Sequence, residues 1–114
     1  MATRRNPGPE QHARSADEFF REATQHLVDA DKILTRTDRQ GKVRVKGLHP
    51  LTRPERLELV GHFVMAASYL GAANAEYNYA DKPDKAELCD EYLINIERAL
   101  IELAGGGPEY FMEV

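Results

Sequence analysis

The chain has 114 residues, 42% of them hydrophobic and 30% charged, with a net charge of −4. That balance describes one folded domain and excludes a disordered chain or a multidomain one. A single cysteine, Cys89, excludes an internal disulfide framework and fits a reducing, cytoplasmic setting.

The opening MATRRNPGPEQHARS has no apolar segment of the signal-peptide kind. With Pro7-Gly8-Pro9 inside it, the stretch 1–14 reads as a flexible arm ahead of a single helical domain over 15–114. Ser15-Ala16-Asp17-Glu18 is a capping box, in which hydroxyl and carboxylate satisfy each other's backbone donors. It predicts a first helix over about 16–35. Phe20, Ala23, Leu27, Ala30 and Leu34 recur at alternating spacings of three and four, and Phe19 and Ile33 widen the stripe.

Residues 36–56 form a basic connector, with Arg36, Arg39, Lys42, Arg44, Lys46, Arg53 and Arg56 against Asp38 and Glu55. Valines alternate with basic residues at Lys42-Val43-Arg44-Val45-Lys46, beyond the turn-like Asp38-Arg39-Gln40-Gly41. This leaves two readings open, a short hairpin or an irregular loop.

Thr52-Arg53-Pro54-Glu55 is a second capping box and predicts a helix over 53–79. Its stretch Leu57–Ala75 is apolar on nearly every side, yet Glu58, His62 and Asn74 interrupt it, so a buried helix is expected rather than a membrane span. Around the helix, Leu59, Phe63, Leu70 and Tyr77 share a large-residue face, and Gly61, Ser68, Ala72 and Ala75 a roughly opposite small-residue face. Glu58, His62, Tyr69 and Glu76 form a narrow polar edge. Two apolar faces ask for neighbours on two sides, and small residues let another backbone come close. Glycine inside a helix costs roughly 1 kcal/mol relative to alanine, so Gly61 and Gly71 ask for a packing reason.

Asp81-Lys82-Pro83-Asp84 breaks the chain before a third helix over 83–104, which Gly105-Gly106-Gly107-Pro108 ends. Leu88, Tyr92, Ile96, Ala99 and Leu103 make its core face, and Ile94 and Ile101 a second patch on the far side. An aromatic tail, 108–114, closes the chain.

Three constellations carry chemistry. Glu22-x3-His26 and Glu58-x3-His62 each set a carboxylate and an imidazole one helical turn apart, and on adjacent antiparallel helices they would offer four ligands to a metal. The bland alternative is a pair of solvated contacts. Arg21-x4-His26 and Arg56-x5-His62 resemble the R-x(4–6)-H spacing of HEPN ribonucleases, and ADEFFREATQHLVDADKIL is similar to the amphipathic opening helix of that family. The resemblance covers only these fragments, and Leu57 stands where a polar residue usually follows the motif arginine. It implies a small helical bundle, often dimeric, with arginine and histidine handling phosphate and proton at a composite site. Finally, Arg36, Arg39, Lys42, Arg44 and Lys46 would supply phosphate contacts to a nucleic acid, although no aromatic residues are interleaved to stack on bases.

The expected architecture is an all-α three-helix bundle, with the basic hairpin or loop between helices one and two, assembling as a homo-oligomer, a two-fold dimer by default. Its interface would draw on Gly61, Ser68, Ala72, Ala75, Ile94 and Ile101. The expected role is a small non-enzymatic interaction or regulatory protein, with no cofactor, no membrane and a protein partner whose identity is not written in the chain. Small size and an Ala/Arg/Gly-leaning composition point to a bacterium or phage. The alternatives are the ribonuclease or metal-dependent enzyme at His26 and His62, and the nucleic-acid binder.

Overall fold

The computed structural model describes residues 8–35 and 51–105. Three helices follow one another, α1 (Pro9–Leu34), α2 (Arg53–Tyr79) and α3 (Pro83–Gly105), and no strand occurs among the described residues. The hairpin or loop expected in the connector, its five cations from Arg36 to Lys46, and the tail 108–114 lie outside the described residues.

Helix α1 starts at Pro9, six residues ahead of the Ser15 capping box, so part of the expected flexible arm is helical. Proline is suited to that first turn because its φ is already helical and the amide it lacks would have had no partner. The added turns are also held from outside. His12 pairs with Glu76 of α2 and its ring lies 5.1 Å from that of Tyr79, while Ala16 is fully buried. Tertiary contact outweighs the local signal at Ser15. At the other end, both the amide and the hydroxyl of Thr35 donate to the Asp31 carbonyl.

Helix α2 opens as its sequence predicts. The Thr52 hydroxyl accepts from the Glu55 amide at 3.3 Å, and the Glu55 carboxylate accepts from the Thr52 amide at 3.0 Å. That reciprocity satisfies the carboxylate of Glu55, which is buried. The link to α3 turns at Asp81, whose φ of 57° lies in the left-handed region that aspartate tolerates better than most residues. The Lys82 amide then donates back to the Tyr77 carbonyl at 2.9 Å.

Both α1 and α3 pack on α2. The α1–α2 contacts run from His12–Glu76 through Phe19–Tyr69 to His26–His62, one index rising as the other falls, so the pair is antiparallel. Alanines dominate their seam. Ala16, Ala23 and Ala30 recur every seven residues on α1, as do Ala66 and Ala73 on α2, and all five are buried. Methyl groups at that spacing let two helices approach closely along one line. Leu70, Tyr77, Cys89 and Ile96 complete this cluster, and Ala30, Ile33 and Leu59 form a second one nearer the connector.

Aromatic and polar contacts tie α1 to α3. The rings of Phe20 and Tyr92 meet edge-on at 5.7 Å. The Tyr77 hydroxyl donates to Asp17 at 2.5 Å, and Lys85 lies 3.8 Å from the same carboxylate, above the Tyr77 ring. Burial, then the hydrogen bond to Asp17, push the Tyr77 phenol well above its ordinary range. Burial likewise raises the Cys89 thiol, the expected state of a small core residue.

Candidate functional site: a histidine seam beside an open helix face

The polar edge expected on α2 lies against a matching flank of α1. Tyr69 sits between Phe19 and His26, its ring 6.3 Å from the phenylalanine and stacked on the imidazole at 5.8 Å with an interplanar angle of 16°. One turn closer to the connector, the Nδ1 atoms of His26 and His62 are 3.0 Å apart. Such a contact needs one ring to donate and the other to accept. Both histidines are half-buried, so solvent reaches the pair without flooding it.

The two histidines singled out in the sequence therefore converge within one chain, but their companions differ from those expected. Ligand atoms of His26, His62 and Asp29 all lie within 4.8 Å of one another. Asp29, three residues after His26, occupies the place in this trio that Glu22 or Glu58 was expected to take. One signal was present: i+3 lies on the same helical face as i, just as i−4 does. The Asp29 carboxylate also accepts from the Gln25 amide at 3.2 Å and has Lys32 at 3.8 Å. Glu22 and Glu58 are exposed.

The arginines of the ribonuclease-like spacing point elsewhere. Five residues separate Arg21 from His26 and six separate Arg56 from His62, which places each arginine roughly 120–140° around its helix from its histidine. Arg21 is exposed and Arg56 half-buried. His12, assigned by sequence to the arm, proves to be a third histidine of the same seam through Glu76.

Beside this seam, the outward side of α2 is open. Leu57 is 65% exposed, Val64 48%, Met65 43% and Tyr79 69%, and Gly61, Ser68, Gly71 and Ala75 between them are exposed too. Ala72 is half-buried. No charged residue interrupts this strip over its whole length. A methyl group added at Gly61 or Gly71 would meet nothing within 4 Å, so neither glycine has a packing reason within the described chain. The Ser68 hydroxyl donates to the Val64 carbonyl of its own helix, so the one polar side chain at the centre of the strip is already satisfied.

The apolar surface continues over one flank into a shallow groove of 440 Å³ between α2 and α3, lined by Ala67, Leu93, Ile96, Glu97, Leu100, Ile101 and Ala104. Ile101, at its rim, is 61% exposed, and Ile94, about two turns away, is also exposed. All six residues named as an oligomer interface thus lie at or near the surface, four on α2 and two on α3.

Compared with protein-family models, curated proteins and solved structures, the chain matches none. Among the described residues, no helix is long and apolar enough to cross a membrane.

Proposed function

We propose that the protein is a small helical interaction or regulatory module that works as a homodimer, formed through the open face of α2. The observation that carries this reading is the charge-free exposed strip from Leu57 to Tyr79, with two glycines that nothing among the described residues packs against. An exposed apolar patch of this length marks an association surface more often than an idle one.

A second copy is the occupant the surface fits. A strip of small residues flanked by larger apolar ones is complementary to itself under a two-fold axis. By size, the strip alone is not sufficient and needs the apolar surface beside it. The strip, roughly 34 Å long at 1.5 Å per residue and about one helix wide, offers on the order of 400 Å² per partner, near half of a standard interface. The adjoining α2–α3 groove and Ile101 supply further apolar surface on the same side.

Sedimentation equilibrium tests the reading directly. The wild-type chain is expected to dimerise, and Ser68→Arg or Ala72→Arg to leave a folded monomer, because an arginine buried without a partner at the centre of the strip costs several kcal/mol. A wild-type chain that stays monomeric at millimolar concentration would overturn it.

A further inference from the structure

The histidine seam carries chemistry that the interaction reading does not use. The geometry points to a binding site for a divalent transition-metal ion of the zinc type, held by His26 Nδ1, His62 Nδ1 and a carboxylate oxygen of Asp29, with the remaining position left to water.

Three features carry this. The first is the donor set: two imidazoles and one carboxylate suit zinc and its first-row neighbours, and a three-ligand protein set leaves an open coordination position. The second is distance. Ligands at about 2.0–2.1 Å in tetrahedral array stand about 3.3 Å from one another, and the two Nδ1 atoms are already 3.0 Å apart. A small opening of the pair admits the ion, which takes the place of the shared proton between the rings. A carboxylate oxygen of Asp29 lies within 4.8 Å of a ring nitrogen of each histidine and closes in by turning its side chain. The third is rigidity. His26 and Asp29 share one face of α1, His62 comes from the antiparallel α2, and Tyr69 stacked on His26 holds that ring in plane. Donors fixed on two packed helices lose little freedom on binding.

Asp29 is not idle without the ion, since Gln25 donates to it and Lys32 is nearby. Both partners are long side chains on the exposed side of α1 and are easily displaced. The site lies within one chain, so one ion per chain is expected whether or not the protein dimerises.

Titration of the metal-free full-length chain with Co(II), which absorbs strongly in the visible when tetrahedral, and with Zn(II) by calorimetry tests the proposal. One ion should bind per chain. His26→Gln and His62→Gln should each weaken binding at least tenfold, Asp29→Asn several-fold, and Glu22→Gln not at all. Wild-type imidazole NMR resonances serve where a variant fails to fold: zinc should shift those of His26 and His62 together and leave His12 in place. Absence of saturable binding, or histidine variants that fold and bind as the wild type does, would overturn the proposal. So would Glu22→Gln weakening binding while Asp29→Asn does not, because the carboxylate would then be misassigned.

Discussion

Helix α2 has two apolar sides with nearly the same composition and opposite fates. On one side Leu59, Ala66, Leu70, Ala73 and Tyr77 are buried against α1 and α3. On the other, Leu57, Val64, Met65 and Tyr79 stand exposed among glycines, serine and alanines. Hydrophobicity does not separate the sides; available partners do. The α1 helix presents alanines every seven residues to the inner side, and its polar flank meets α2 along the Tyr69–His62 edge, reaching the open side where His12 packs on Tyr79. Among the described residues, α1 and α3 cover one side of α2 and leave the other open.

The sharpest contrast is between Leu70 and Val64, which sit about 120° apart around the same helix. Leu70 is fully buried, and replacing it with alanine should cost about 2–5 kcal/mol of folding stability through lost transfer energy and an unfilled cavity. Val64→Ala should change the stability of a dilute, monomeric sample by only about 0.5 kcal/mol or less, as a surface substitution does. Denaturant unfolding of both variants at one low concentration checks this. Equal losses would mean that the open side is already buried in the monomer by residues outside those described.

A smaller effect tests how the inner side is locked. Tyr77→Phe removes the hydrogen bond to Asp17 and should cost about 1–2 kcal/mol, the usual worth of a bond to a charged acceptor. Its pH signature is distinctive. Because the folded state holds the phenol proton beyond its ordinary range while the unfolded chain releases it near pH 10, the folded state binds more protons above that pH. Stability is therefore kept below about pH 10 and falls as pH rises from there, and Tyr77→Phe should flatten that decline. Thermal unfolding of both chains between pH 8 and 11 reads it out.

Much of this architecture is legible in the sequence, for local reasons. The Thr52 capping box, the Asp81–Pro83 break and the Phe20–Leu34 stripe all act within a few residues, and the three-helix fold follows from them. The start of α1 was missed because what holds residues 9–14 is Glu76 and Tyr79, more than sixty positions away. The alanine seam was partly missed too. Ala66 and Ala73 line the packing of α2 on α1, whereas Gly61, Ser68, Ala72 and Ala75, read in the sequence as a surface for another chain, lie at or near the surface. For the seam, chemistry named His26 and His62, but only the packing of α1 on α2 could show that they meet, and that Asp29 rather than Glu22 stands beside them.

The smallest expected effect separates the two sides most cleanly. Gly61 and Gly71 flank the midline of the open strip, and an added methyl at either meets nothing within 4 Å among the described residues. In a dilute monomer, Gly61→Ala and Gly71→Ala should therefore each raise folding stability by about 0.5–1 kcal/mol, the ordinary gain of alanine over glycine inside a helix. In a dimer that brings another backbone close, the same methyls should act in the opposite direction and weaken association. Unfolding at low concentration and sedimentation at high concentration, run on the same two variants, read the opposing signs independently. Should stability rise while association stays untouched, the glycines serve no close approach, and a dimer through this face would have to rest on Leu57, Val64 and Tyr79 at ordinary interhelical distance. A loss of stability in the dilute monomer would instead place a neighbour over the strip within the chain itself, and the two sides of α2 would no longer differ.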